Sequence, residues 1–192
     1  MNWDAYARAH VLNEDHYNSE PVQKKRALTI VNRCVGTVLD VGGGDGYIAD
    51  LIRRAGHWVK VIDISPIRVL RAWTKYHLPA ESGDATKLAH PDHSWDTVVL
   101  AEVAEHLDNP GAALTEAFRV ARKRVIVSLP LNGWCDPTHE WRVRMDRVED
   151  PAQRKNDPTK GEQIILTFER GKCWPDDYFR HDPTWADLFG AP

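Results

Sequence analysis

The chain of 192 residues has 42% hydrophobic and 28% charged residues, and 25 Lys and Arg against 28 Asp and Glu leave a formal net charge of −3. That length suits one domain whose core needs no disulfide or structural metal, and the charge balance leaves no basic field for holding long nucleic acid non-specifically. Cys34, Cys135 and Cys173 are scattered without CxxC spacing, so neither a disulfide framework nor a thiolate zinc site is indicated, and a reducing, cytoplasmic setting is expected. Residues 3–33 read as helical, with the part after Lys24-Lys25-Arg26 expected to pack on a sheet ahead of the first strand. Apolar, β-branched runs at 38–41, 59–63, 96–100 and 125–129 read as strands buried on both faces, the pattern of a parallel sheet. Helical spacing places apolar residues on one face over 47–54, 66–77 and 110–121, and Pro66 after Ser65 and Pro110 after Asn109 are helix-start signals. Strand and helix therefore alternate as in an α/β sheet with right-handed crossovers. Residues 130–162 read as a long acceptor-facing loop holding one short element at 140–148; 163–168 give a late strand, and the last residues are irregular or end in a short helix at 185–189. No apolar run approaches the roughly 20 residues that span a bilayer, and residues 1–20 lack a basic-then-apolar leader pattern.

The chemistry begins at Val38-Leu39-Asp40-Val41-Gly42-Gly43-Gly44-Asp45-Gly46, which runs from a strand into a helix. Glycines at 42, 44 and 46 permit a sharp turn and close approach of a ligand to the backbone, beside the positive end of the following helix. The spacing departs from GxGxxG, no Lys-Ser/Thr pair follows, and Asp40 and Asp45 would repel a pyrophosphate, so a cationic or hydroxyl-rich ligand fits better. Asp63, at the end of the second strand in Val61-Ile62-Asp63-Ile64-Ser65, stands where a carboxylate accepts both hydroxyls of a ribose in nucleotide-binding α/β folds.

With these two motifs the sequence resembles the class I S-adenosylmethionine-dependent methyltransferases, and the likeness continues through Ser82-Gly83-Asp84-Ala85 and through Ser94 to Leu107, which holds Glu102-Val103-Ala104-Glu105-His106-Leu107. It covers residues 36–130. The resemblance implies a doubly wound, mostly parallel Rossmann-like sheet with helices on both faces, shortened at its C-terminal end if a late strand or helix is missing. It implies one domain over 1–192, with an N-terminal helical segment (1–33), a cofactor-binding core (36–130) and an acceptor-side remainder (131–192). For the cofactor, S-adenosylmethionine, it implies that Gly42, Gly44 and Gly46 line the methionyl moiety with Asp40 orienting the loop. Asp63, with Ile64 next to it, would hold the ribose, Asp84 and Ala85 would touch the adenine, and Glu102 would sit beside the methionine end.

Methyl transfer from a sulfonium is an in-line displacement that depends on positioning, and a hydroxyl acceptor also needs a base. Glu105, His106 and His139 are the candidates, because they follow strands at the carboxyl edge of the sheet, where ligands bind in such folds. The expected activity is methyl transfer to an O or N nucleophile of a small-molecule or unidentified acceptor. Glu102, Glu105, His106 and His139 also resemble the metal ligands of RNA 3'-terminal ribose 2'-O-methyltransferases, which makes metal-assisted RNA methylation the alternative; a non-catalytic S-adenosylmethionine-binding protein is another. No metal site is assigned, no membrane is expected, a nucleic-acid acceptor is not favoured, and a homo-oligomer stays open. His90 and His93 read as solvated loop residues, and Arg119, Arg122, Lys123 and Arg124 as cations at a helix end. Trp134 and Trp141 read equally as pocket walls or as core aromatics.

Overall fold

The computed structural model describes residues 2–9, 21–130, 142–143, 163–170 and 189–190. Helices α1 (Trp3–Ala9) and α2 (Pro21–Arg33) precede β1 (Val38–Val41), α3 (Tyr47–Arg54), β2 (Val59–Asp63), α4 (Pro66–Tyr76), β3 (Ala80–Ser82) and β4 (Trp95–Ala101). A 3₁₀ turn (Ala104–His106), α5 (Pro110–Val120), β5 (Ala121–Pro130), β6 (Arg142–Val143), β7 (Gln163–Glu169) and β8 (Phe189–Gly190) follow. Six strands form one sheet in the order β3-β2-β1-β4-β5-β7. All neighbours are parallel except β7, which runs antiparallel to β5 with Val127 opposite Leu166. The chain enters at β1 and winds outward both ways, so β1 and β4 flank the point where strand order reverses, and a crevice opens there at the carboxyl ends of the strands.

Side-chain alternation along these strands divides the core in two. Leu39 and Val41 of β1, Val98 and Leu100 of β4, and Val125 and Val127 of β5 pack with Leu114 and Phe118 of α5. Val38, Val61, Val99 and Ile126 face the other way, against Ile30 of α2, Ile48 and Ile52 of α3, and Ala72 of α4. Asp40 shares the face of Val38, so this strand turns a carboxylate into an otherwise apolar layer. At the start of α5, Asn109 accepts the Ala112 N–H at 3.0 Å, as expected of an N-cap. Ser65 precedes α4 but makes no side-chain cap; its hydroxyl donates instead to Asp4 Oδ1 of α1, at 2.6 Å.

Several details differ from the sequence expectation. Ala80–Ser82 forms an edge strand, too short and polar to show as an apolar run. Residues 10–20 of the expected N-terminal helix lie outside the described residues, as do 131–141 and 144–162 of the expected loop with Trp134 and Trp141; Arg142–Val143, within the expected short element, is a strand. Phe189–Gly190 pairs with β6 as a strand in place of the end of a short helix, whose other residues are undescribed. The helix before β5 stops at Val120, so Arg122, Lys123 and Arg124 lie on β5 and not at a helix end. Arg122 and Lys123 hold Asp96 (3.0 and 3.1 Å), Arg124 reaches Glu169 at 3.2 Å, and Arg119 binds Glu116 and Asp92 (both 2.7 Å). Arg119 also donates to the Leu88 and His90 carbonyls, tying α5 to the loop before β4. His93 is exposed, whereas His90 is half-buried, edge-on to Trp95 and 3.2 Å from Glu81. Among the described residues no helix is long and apolar enough to cross a membrane.

Asp96 ties the amino edge of the sheet together, because it accepts the Thr37 amide at 3.1 Å as well as the two β5 cations. Burial pushes its carboxyl up, but the Thr37 amide, Lys123 and Arg122 outweigh this and bring it down to about 2. A carboxyl depressed by folding stabilises the fold above its unfolded value near pH 4, and that stability is lost as pH falls toward 2. Urea denaturation is therefore expected to show Asp96→Asn less stable than wild type by roughly 1–3 kcal/mol at pH 7, with the gap shrinking below pH 3.

Candidate active site

The turn from β1 into α3 is held from the side by β2. The Gly42 and Gly43 amides donate to the Ile62 carbonyl at 2.7 and 3.1 Å, and the Gly44 amide donates to Asp63 Oδ2 at 2.9 Å. The other oxygen, Oδ1, accepts the Ser65 amide at 2.9 Å, so one carboxylate spans the β1–α3 turn and the start of α4. This path needs glycine at Gly46, where φ is +91° and a Cβ would come 2.9 Å from that of Ala72. Burial pushes the Asp63 carboxyl above the usual carboxylate range, while the Ser65 amide, Arg68 and the Gly44 amide favour its charged form. Asp45 is buried and faces Arg68 (3.6 Å) and Arg71 (3.4 Å) of α4.

Asp40 is fully buried, and neither of its oxygens has a hydrogen-bond partner among the described residues. Burial first, and then the charge of Asp63, push its carboxyl up to about 7. At the tip of β3, Asp84 is exposed and uses Oδ1 to accept the Thr86 amide (2.8 Å) and hydroxyl (2.7 Å), a turn-forming contact; Ala85 is buried and Ile64 half-exposed.

Glu102 follows β4 with a left-handed φ of 55°, an uncommon backbone conformation for this residue. Its amide donates to the Ser128 carbonyl and its Oε1 accepts the Ser128 hydroxyl, each at 3.1 Å, while Oε2 lies 3.0 Å from the buried Arg26 of α2. Glu105 is almost fully buried in the 3₁₀ turn, and the partly buried His106 ring meets Trp3 of α1 edge-on at 5.9 Å. His139 lies outside the described residues. Among the described residues no three His, Cys, Asp or Glu side chains come together as a metal site, and Glu102 faces a guanidinium.

The structure thus brings Gly42, Gly44, Gly46 and Asp63 together at the end of β1, with Asp40 buried beneath the turn and Glu102, Glu105 and His106 one strand away. Sequence reading missed Arg26 and the contacts of α1. Besides Asp4 on Ser65, Tyr6 stacks on Arg68 at 5.8 Å and the Ala7 carbonyl accepts Arg71 at 2.7 Å. Together with Trp3 on His106, these contacts lay α1 over the carboxyl edge from the end of β2 to the end of β4. Arg26 carried a signal only as the last of three basic residues in a row, and nothing in the sequence of α1 pointed to the site.

Comparison with known proteins bears on the family and the fold. Residues 39–129 match the model of a methyltransferase domain. A probable S-adenosylmethionine-dependent methyltransferase of Mycolicibacterium smegmatis is 36% identical over 95 residues, which cover 48% of this chain and 37% of the relative. The demethylmenaquinone methyltransferase of Streptomyces avermitilis is 33% identical over 158 residues, 80% of this chain and 68% of the relative. With the first two of the curated relatives the match spans only 37% and 41% of their length. Among solved structures, a protein of Pyrococcus horikoshii aligns with a TM-score of 0.56 at 21% identity over 66% of each chain. Magnesium protoporphyrin IX methyltransferase from Synechocystis, solved with bound SAH, aligns with a TM-score of 0.54 at 21% identity over 64% of this chain and 63% of that one. At such identities the solved structures speak for the fold. The glycine turn braced by Asp63, the reversal of strand order beside it and the match to the Streptomyces relative assign the chain to the class I S-adenosylmethionine-dependent methyltransferase family.

Proposed function

We propose that this protein transfers the methyl group of S-adenosylmethionine to an oxygen or nitrogen nucleophile of a small-molecule acceptor. The observation that carries the proposal is the Asp63 carboxylate, fixed by the Gly44 and Ser65 amides at the mouth of the crevice. Each carboxylate oxygen accepts more than one hydrogen bond, so Asp63 can take the two ribose hydroxyls while it still braces the turn. Gly42, Gly44 and Gly46 would then run beside the methionyl part, Ile64, Asp84 and Ala85 beside the adenine, and Glu102 beside the methionine end. The residues present fit such a ligand, because Asp40, a buried carboxyl without a hydrogen-bond partner among the described residues, lies under the turn and suits a molecule with excess positive charge. When bound, S-adenosylmethionine supplies a methyl group already activated on its sulfonium.

What remains for the protein is to hold the acceptor in line and to take up its proton. His106, at the carboxyl edge with the Trp3 ring edge-on to its own, would take that proton. Glu105 in the same turn and His139, which lies outside the described residues, are the other candidates for this role. The name of the Streptomyces relative refers to demethylmenaquinone, which supports a small-molecule acceptor here without bearing on the oxygen or nitrogen nucleophile. No observation singles out the RNA alternative, and the contact of Glu102 with Arg26 disfavours the metal arrangement it needs.

Titration calorimetry is expected to show S-adenosylmethionine binding, with affinity lowered at least tenfold in Asp63→Ala, since two hydroxyl contacts to a charged group are lost. No binding by the wild type, or equal binding by the variant, overturns the assignment. With a methyl-labelled cofactor and pools of candidate acceptors, label is expected in a small molecule, and His106→Gln is expected to lower kcat by about 10²–10⁴ with cofactor affinity unchanged. Tight binding without transfer to any pool would instead mark a protein that only holds the cofactor.

A further inference from the structure

Three buried carboxylates surround the glycine turn, and their charges are compensated differently. Asp63 has two backbone amides and Asp45 has two arginines, but Asp40 has no donor on either oxygen among the described residues. It is nonetheless close to the turn: a Cβ on Gly43 would lie 2.7 Å from Asp40 Oδ2. The carboxylate therefore sits against the inner side of the loop along which the cofactor is proposed to lie, separated from it by a single layer of backbone.

Among the described residues no cation lies within hydrogen-bond distance of Asp40, and the charged groups on its side of the sheet are engaged with others. Asp63 of β2 is negative and repels it, and the charge of Asp45 in the turn is answered by Arg68 and Arg71 of α4. From α2 come Arg26, engaged by Glu102, and after it the Cys34 thiol, which burial first and Asp40 second push up to about 12. On the same side of the sheet, Asp50 of α3 is paired with Arg53 and Arg54 of its own helix. Val99 of β4 is apolar. A carboxyl in such a place favours its neutral form until a positive charge arrives.

S-adenosylmethionine brings that charge. With its ammonium and carboxylate balanced, its sulfonium leaves it a net cation, whereas the demethylated product is a thioether with no net charge. We propose that Asp40 is the residue that distinguishes donor from product: it is protonated in the empty site, releases that proton to solvent when S-adenosylmethionine binds, and recovers it once the methyl group has left. The covalent step is unchanged by this. The sulfonium charge disappears as the methyl group moves to the acceptor, whose own proton is lost, and Asp40 takes back one proton from solvent. The carboxyl position near 7 in the empty site puts this exchange in a range that an experiment can reach. The inference rests on the cofactor site proposed above.

The test is calorimetry of S-adenosylmethionine and S-adenosylhomocysteine binding at pH 6.5, each in two buffers of different ionisation enthalpy, which counts the protons exchanged. The wild type is expected to release a large fraction of one proton with the donor and close to none with the product. Donor affinity is expected to rise about tenfold from pH 5.5 to 7, as a charge acting through one layer of backbone implies. Asp40→Asn is expected to fold, to show no proton release, and to bind donor and product within about threefold of each other. Equal proton counts for the two ligands, or an Asp40→Asn protein that keeps the wild-type preference and pH dependence, overturns the proposal. Because the proton count is taken on the wild type, it stands even if the variant fails to fold. Failure of both ligands to bind would contradict the cofactor site itself and is distinguishable from either result.

Discussion

The crevice depends on a carboxylate that does two structural tasks before any ligand arrives. Asp63 joins the turn after β1 to the start of α4 by accepting the Gly44 and Ser65 amides, and the Ile62 carbonyl beside it accepts two more amides of the same turn. These backbone donors would otherwise be left unpaired in a site shielded from water, where an unmet donor costs about 1–3 kcal/mol. A loop of glycines, with the greatest conformational freedom of any residue, is thereby fixed against its neighbouring strand. The position of the site thus follows from strand order: only because β2 lies next to β1 can its last residue reach the turn.

The same geometry concentrates negative charge. Asp40, Asp45 and Asp63 are all buried around one short turn, in a chain whose total charge is close to neutral. Two of the three are neutralised by the protein itself, by amides and by the arginines of α4. The third, Asp40, has no hydrogen-bond partner among the described residues. At the end of β4, Glu102 is held by Ser128 and Arg26, and α1 crosses the edge from Ser65 to His106, linking the ends of β2 and β4.

The alternating sheet was legible because four of its strands carry short apolar, β-branched runs, and because proline marks two helix starts. Of the candidate site, the glycine turn and its neighbour Asp63 were legible, because one short motif spans strand, turn and helix start. Ala80–Ser82 was missed because an edge strand needs no apolar run. Arg122, Lys123 and Arg124 were assigned to a helix end because their charge suits one, but they are strand residues that reach Asp96 and Glu169 across neighbouring strands. Ser65 was expected as a cap, and its hydroxyl turns to Asp4, 61 positions away in the chain. Contacts of that span leave no periodicity, so Arg26 against Glu102 and Trp3 against His106 emerge only once the chain is folded.

The central claim is that the glycine turn and Asp63 form the cofactor site. A crystal structure of the protein with S-adenosylhomocysteine tests it most directly. The account predicts the ribose hydroxyls on Asp63, the homocysteine part along Gly42 to Gly46, and the adenine between Ile64 and Ala85. Density for the ligand elsewhere, or at this edge with Asp63 making no contact to the ribose, would contradict it.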